Sequence, residues 1–152
     1  MAITASAMYG LTLEKIFRKT QTDDLESETA VWCLMVLDAE APNFETHDFV
    51  ADIAQEVADG SGYTDGGKAL TTTELTVGAP AAGQIKYATA NPAWTTSTIT
   101  NAMAAVHYFT TGSTATAQLI FLSDFVTAAT SSNGTFTITV HANGWWYLDY
   151  TP

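Results

Sequence analysis

Basic residues are scarce in this chain: 5 lysines and arginines stand against 16 aspartates and glutamates in 152 residues, a formal charge of -11. So few cations cannot neutralise a phosphate backbone, and this excludes DNA and RNA as partners. Cysteine is nearly absent. Cys33 alone makes neither a disulfide framework nor a zinc ligand set, and nothing asks for an oxidising compartment. Long apolar runs are missing as well. The longest spans residues 30–37, far short of the ~20 residues of a membrane-spanning helix. The first twenty residues carry Thr4, Ser6, Glu14, Lys15, Arg18 and Lys19 among their apolar positions, so no signal core is expected. The expectation is a soluble protein with no membrane partner. A single β-sandwich domain over residues 1–152 with an N-terminal helical segment is expected, long enough to bury a core without disulfides or metal.

What the chain does have is unevenly placed. Residues 1–76 hold 14 acids and 4 bases, whereas residues 77–152 hold 2 acids and 1 base. The second half is instead rich in threonine, alanine and aromatic residues, the composition of half-buried strands. No linker or internal repeat separates the two, so the asymmetry marks two faces or ends of one domain.

Periodicity predicts few helices and many strands. Leu13, Ile16 and Phe17 recur at i, i+3, i+4 and predict a short amphipathic helix over 8–19. The continuous apolar run 30–37 predicts a strand buried on both faces. Phe49, Ile53 and Val57 recur every four residues, with Thr46 ahead of them as an N-cap, and predict a second short helix or loosely helical loop. Four glycines within residues 59–67 predict a tight loop. Strands are expected over 68–77, 84–88, 98–109, 117–125, 135–142 and 145–150. Turn signals at 78–83, Asn91-Pro92, Gly112-Ser113, 131–134 and Asn143-Gly144 separate them. The predicted fold class is mainly β, an antiparallel β-sandwich with one or two short helices in the N-terminal third.

Asn143-Gly144 suits a type I′ turn, which would pair Ala142 with Trp145, His141 with Trp146 and Val140 with Tyr147. Phe136, Ile138, Val140, Ala142, Trp145 and Tyr147 would then share a core face. The opposite face would carry Thr137, Thr139, His141, Trp146, Leu148 and Tyr150. An aromatic stripe of this kind is seldom left in water, since each ring covers ~200 Å². Two readings stand: a contact surface for another chain, or a central strand covered by the N-terminal helix.

Sites for chemistry are weak. His47, Asp48, Asp52 and Glu56 have helical spacing that could make a small metal site, but a solvated acidic helix face capped by Thr46 or Asp48 is the favoured reading, and no metal is expected. The glycine loop lacks the Lys-Ser or Lys-Thr of a phosphate cradle and has Leu70 where a calcium loop needs a carboxylate. Cys33 with His47, His107 or His141 would make a nucleophile pair, although a buried inert thiol is the commoner use. No G-x-S-x-G elbow occurs. Asp124 and Asp149 are the sole acids after Glu74, which leaves little for a paired-carboxylate hydrolase. No enzymatic activity and no cofactor are expected.

The order of these segments carries a resemblance. It runs through Leu11-Thr12-Leu13-Glu14-Lys15-Ile16-Phe17, Val31–Leu37, Thr46-His47-Asp48-Phe49, Glu56-Val57 and Gly60-Ser61-Gly62-Tyr63-Thr64-Asp65-Gly66-Gly67. It continues in Ala93-Trp94-Thr95, Ser97-Thr98-Ile99-Thr100 and Ser132-Asn133-Gly134-Thr135-Phe136-Thr137-Ile138. Together they resemble a family of small tailed-phage virion proteins, some of them similar to the trimeric β-sandwich cement proteins of icosahedral heads. The resemblance implies a structural protein of the virion, made in the bacterial cytoplasm, whose partners are its own copies, as a trimer, and the major capsid protein. Thr71-Thr72-Thr73 and Trp145-Trp146-Tyr147 depart from the pattern and leave head, neck and tail as stations. A charge of -11 suits an outer surface better than a DNA-facing lumen. Trp146, Leu148, Tyr150, Thr137, Thr139 and His141 are the expected interface. The alternative is a receptor-binding module in which Trp94, Trp145 and Trp146 stack on sugar rings.

Overall fold

The computed structural model describes residues 3–151. In chain order the elements are β1 (Ala7–Met8), α1 (Gly10–Phe17), β2 (Val31–Leu37), a 3-10 turn (Val50–Asp52), β3 (Lys68–Ala69), β4 (Glu74–Val77), β5 (Gln84–Ala88), β6 (Ala93–Phe109), β7 (Gln118–Thr137) and β8 (Trp146–Asp149). The strands make two antiparallel sheets, one of order β1-β7-β6-β2-β3 and one of order β4-β5-β8. The fold is therefore mainly β with one short helix, as the alternation predicts.

Successive side chains of β2 go to opposite sides of the larger sheet, and each side is a core. Cys33 and Met35 join Ala105, Ile120 and Phe121 in a cluster closed by Tyr87 and Trp146 of the smaller sheet. Leu34 and Val36 join Ala104, Val106, Leu119 and Leu122 in a second cluster closed by Tyr9, Val50 and Phe44. Burial on both faces is why residues 30–37 are apolar throughout.

The helix differs from its predicted face. Thr12 is the residue buried in α1, its hydroxyl donating to the Leu119 carbonyl, while Ile16 and Phe17 point to solvent. The second expected helix is reduced to the 3-10 turn, because side chains offer the backbone other partners. The Asn43 carboxamide oxygen accepts from Glu45 N and Thr46 N at 3.0 and 3.1 Å. Asp52 accepts from Asp48 N and Phe49 N at 2.8 and 3.0 Å. Thr46 caps nothing, and Val57 N instead extends along β2 to the Met35 carbonyl, 2.9 Å away.

Several strand boundaries are corrected, and β6 starts at Ala93 rather than at 98. The expected strand 68–77 breaks at Thr72, whose φ of 53° turns the chain from the larger sheet into the smaller one. The expected strands 117–125 and 135–142 are joined in β7, which ends at Thr137. Residues 131–134, read as a turn, lie inside that strand. Asn133 takes φ 48°, and the Ser97 and Ser131 hydroxyls bond across the irregularity at 3.0 Å, so the turn-like composition serves a bulge rather than a reversal. A wider bulge lies where Ala104 pairs with Asp124 but Ala102 pairs with Ala129.

Candidate interaction surface

Two registers define the smaller sheet: Leu75 pairs with Tyr87 and Val77 with Ile85, while Tyr87 pairs with Trp146 and Ile85 with Leu148. Cross-strand partners share a face. Leu75, Tyr87 and Trp146 therefore form one row, and Val77, Ile85 and Leu148 form the next row along the same face. The charged residues of these strands, Glu74, Lys86 and Asp149, fall on the other face by alternation. An entire face of this sheet is thus uncharged. Its inner row is packed on the larger sheet. Its outer row runs past that support, leaving Val77 71%, Leu148 53% and the following Tyr150 53% exposed.

The expected hairpin is not formed. After β7 the chain runs beside residues 91–92, with Ile138 N donating to the Pro92 carbonyl (3.0 Å) and Val140 N to the Asn91 side chain (2.9 Å). Strand β8 then pairs with β5, not with 135–142. Asn143 is not in the left-handed region, whereas Gly144 has φ 82°, so the paired positive angles of a type I′ turn are absent. Gly144 is needed for a different reason: a Cβ there would lie 2.2 Å from the Tyr87 carbonyl oxygen. The expected face consequently divides. Thr137 ends β7, and Thr139 and His141 lie in the following loop, all three exposed. Leu148 and Tyr150 stand on the smaller sheet with Val77 and Ile85, which sequence reasoning left out. The alternation of Leu75 and Val77 and of Ile85 and Tyr87 was visible, but the strand that joins them to Leu148 was not.

Trp145 and Trp146 both oppose Tyr87, since Trp145 N donates to the Tyr87 carbonyl at 2.9 Å while Trp146 is its register partner. This two-against-one spacing is a β-bulge, and it turns both indoles inward. Trp146 stacks on Tyr87 with centroids 5.4 Å apart. Trp145 meets His107 edge-on at 4.3 Å, and its Nε1 donates to the Thr89 hydroxyl. Trp94 is buried against Tyr63 and Phe136. The three rings proposed for sugar stacking thus serve the core, and no exposed coplanar pair exists among them.

Cys33 and His107 are direct cross-strand partners, and both are fully buried. Neither is activated. Burial pushes the thiol well above its usual range and drives the imidazole down to about 3, so both groups stay neutral, whereas a thiolate–imidazolium pair needs the opposite shifts. His47, Asp48, Asp52 and Glu56 do not converge. Asp48 grips Lys15 Nζ at 2.7 and 2.8 Å, and Asp52 holds the 3-10 turn, its carboxyl lowered by the Phe49 and Asp48 N–H groups. Glu56 accepts from Tyr63 Oη at 2.7 Å and Gly66 N at 2.6 Å, anchoring the glycine loop. Burial raises its carboxyl above the usual range. Gly67 in that loop has φ 71°, and a Cβ would lie 1.9 Å from the Cys33 carbonyl oxygen; the loop is a packing device against β2. Asp124 accepts from Val126 N within β7, and Asp149 accepts from Gln84 Nε2 across the β5–β8 pair. Among the described residues, no group of three His, Cys, Asp or Glu is placed to hold a metal ion, and no helix is long and apolar enough to cross a membrane.

Comparison of the chain with protein-family models, with curated proteins and with solved structures returned no match.

Proposed function

We propose that the chain is a non-enzymatic structural protein of a tailed-phage particle, a decoration protein of the outer head surface that adheres to the capsid shell and to its own copies. The observation that carries this reading is the outer row Val77, Ile85 and Leu148, exposed at Val77 and Leu148 and half-buried at Ile85, on a chain of charge -11. Covering apolar surface is worth about 25 cal/mol per Å², so a row of three aligned aliphatic side chains is a surface that gains from contact. Weak docking suffices for such a role. Several copies held on one lattice bind at high effective concentration, and modest contacts sum. The segment order described above supports the assignment to virion proteins, and the acidic surface supports an outer position, away from packaged DNA.

The test is co-sedimentation with emptied heads of the particle whose genome encodes the chain. The wild-type protein is expected in the pellet with the heads, and the Val77→Lys variant in the supernatant with unchanged circular dichroism. A wild-type protein that stays in the supernatant at all concentrations removes the proposal.

A further inference from the structure

We infer that a second copy of this chain adds to the open edge of β8, antiparallel and across a two-fold axis. The pairing would join two three-stranded sheets into one of order β4-β5-β8-β8-β5-β4. This rests on the self-adhesion proposed above and names its contact.

Among the described residues, the strands that end the two sheet orders are β1 and β3 in the larger sheet and β4 and β8 in the smaller; β7 is also open beyond its two-residue pairing with β1, but that stretch is broken by bulges, with Val126 and Asn133 at positive φ. Exposed edges are templates for pairing with another chain unless they are short, charged or covered. β1 and β3 have two residues each. β4 is covered by the 26–28 segment, with Leu75 N donating to the Glu26 carboxylate at 3.2 Å and Thr73 Oγ1 to the Glu26 carbonyl at 2.6 Å. β8 differs from all three. It has four residues, Trp-Tyr-Leu-Asp, rich in strand-forming types, with Tyr147, Leu148 and Asp149 exposed and neither lysine nor proline to discourage pairing.

The direction of its free hydrogen-bonding groups follows from the ladder. Tyr150 N donates to the Gly83 carbonyl at 2.9 Å, and bonded residues alternate along an antiparallel strand. Leu148 and Trp146 therefore also turn their backbone groups toward β5, and those of Tyr147 and Asp149 point to the open side.

Alternation and charge then select the register. Residues paired across a two-fold must share a face, so only same-parity pairings are allowed. Centring on Asp149 would set two carboxylates opposite each other. Centring on Tyr147 would pair residue 149 with 145, past the start of β8. Centring on Leu148 avoids both: Leu148 meets Leu148 of the second copy at a close, non-hydrogen-bonded pair, and each Tyr147 faces the other copy's Asp149 through the outward backbone groups. Val77, Ile85 and Leu148 would then continue into their counterparts as one uncharged stripe of doubled length. The contact is small compared with a standard interface of ~800 Å² per partner, so association is expected to be weak and concentration-dependent. It makes pairs, where the family resemblance implies threes.

The test combines sedimentation equilibrium over a concentration series with cross-linking. The wild-type chain is expected to move from monomer toward dimer as concentration rises. Tyr147→Pro removes an N–H that the β5 ladder does not use and is expected to stay monomeric, while Tyr147→Thr, which keeps that N–H, still dimerises. If the proline variant fails to fold, Leu148→Cys answers independently: under mild oxidation it is expected to form a disulfide-linked dimer, and Tyr150→Cys is not. Trimers, or dimers formed equally by the Pro and Thr variants, would overturn the edge pairing while leaving self-adhesion in place. A wild-type monomer at every concentration would overturn self-adhesion as well.

Discussion

The two rows on the uncharged face of the smaller sheet are both without charge, one with two aromatic rings and one wholly aliphatic, and their surroundings differ. Leu75, Tyr87 and Trp146 rest on the larger sheet, with Tyr87 fully buried. Val77, Ile85 and Leu148 lie one row further along the same strands, and Val77 and Leu148 face water. The difference in exposure goes with position along the strands, the inner row lying over the larger sheet and the outer row beyond it. One face thus acts as core at one end and as contact surface at the other, and substitutions in the two rows should separate stability from association.

Tyr87→Ala is expected to have the largest effect, about 3–5 kcal/mol of stability, because it empties a buried site between the Trp146 indole and the His107 ring; chemical denaturation measures it. Tyr87→Phe sharpens the point. The Tyr87 hydroxyl is buried without a partner, so removing it should leave stability unchanged or raised. Acid comes next. His107 has a folded value near 3 against 6.5 for the free group, so between these limits the unfolded chain takes up a proton that the folded chain refuses. Stability present above pH 6.5 is therefore lost as pH falls, at about 1.4 kcal/mol per unit, or about 2 kcal/mol at pH 5. Denaturation of His107→Leu alongside the wild type should show this difference in slope, and parallel slopes would contradict the burial argument.

Smaller effects follow. Gly144→Ala should cost at least about 1 kcal/mol through its left-handed backbone and the clash with Tyr87, lowering the thermal midpoint. In the outer row, Leu148→Lys should change stability by no more than about 0.5 kcal/mol. Should it unfold the chain as Tyr87→Ala does, the two rows would not differ in the way described.

Much of the fold was legible where local pattern and tertiary demand agree. The run 30–37 read as a strand with two buried faces and is one, and residues 84–88 match β5. Legibility failed where pairing partners are remote. Asn143-Gly144 has hairpin composition, but β8 finds β5 some sixty residues earlier in the chain, and no local signal specifies that choice. Residues 131–134 have turn composition that a bulge uses equally well, and helical spacing at Phe49, Ile53 and Val57 lost to the Asn43 and Asp52 side chains. The candidate surface was half visible for the same reason. Leu148 and Tyr150 lay on the expected stripe, but Trp146 was turned inward by a bulge, and Val77 and Ile85 enter only through the ladder.

The most direct test of the central claim, that the uncharged outer row is made for contact, is the mass of the chain in solution before and after a charge is placed in that row. Sedimentation equilibrium is expected to give a wild-type mass that climbs above the 16.2 kDa of one chain with concentration, and a Leu148→Lys mass that stays there with the thermal midpoint unchanged. A wild-type protein that remains at the mass of one chain throughout, or a Leu148→Lys variant that associates just as well, would contradict it.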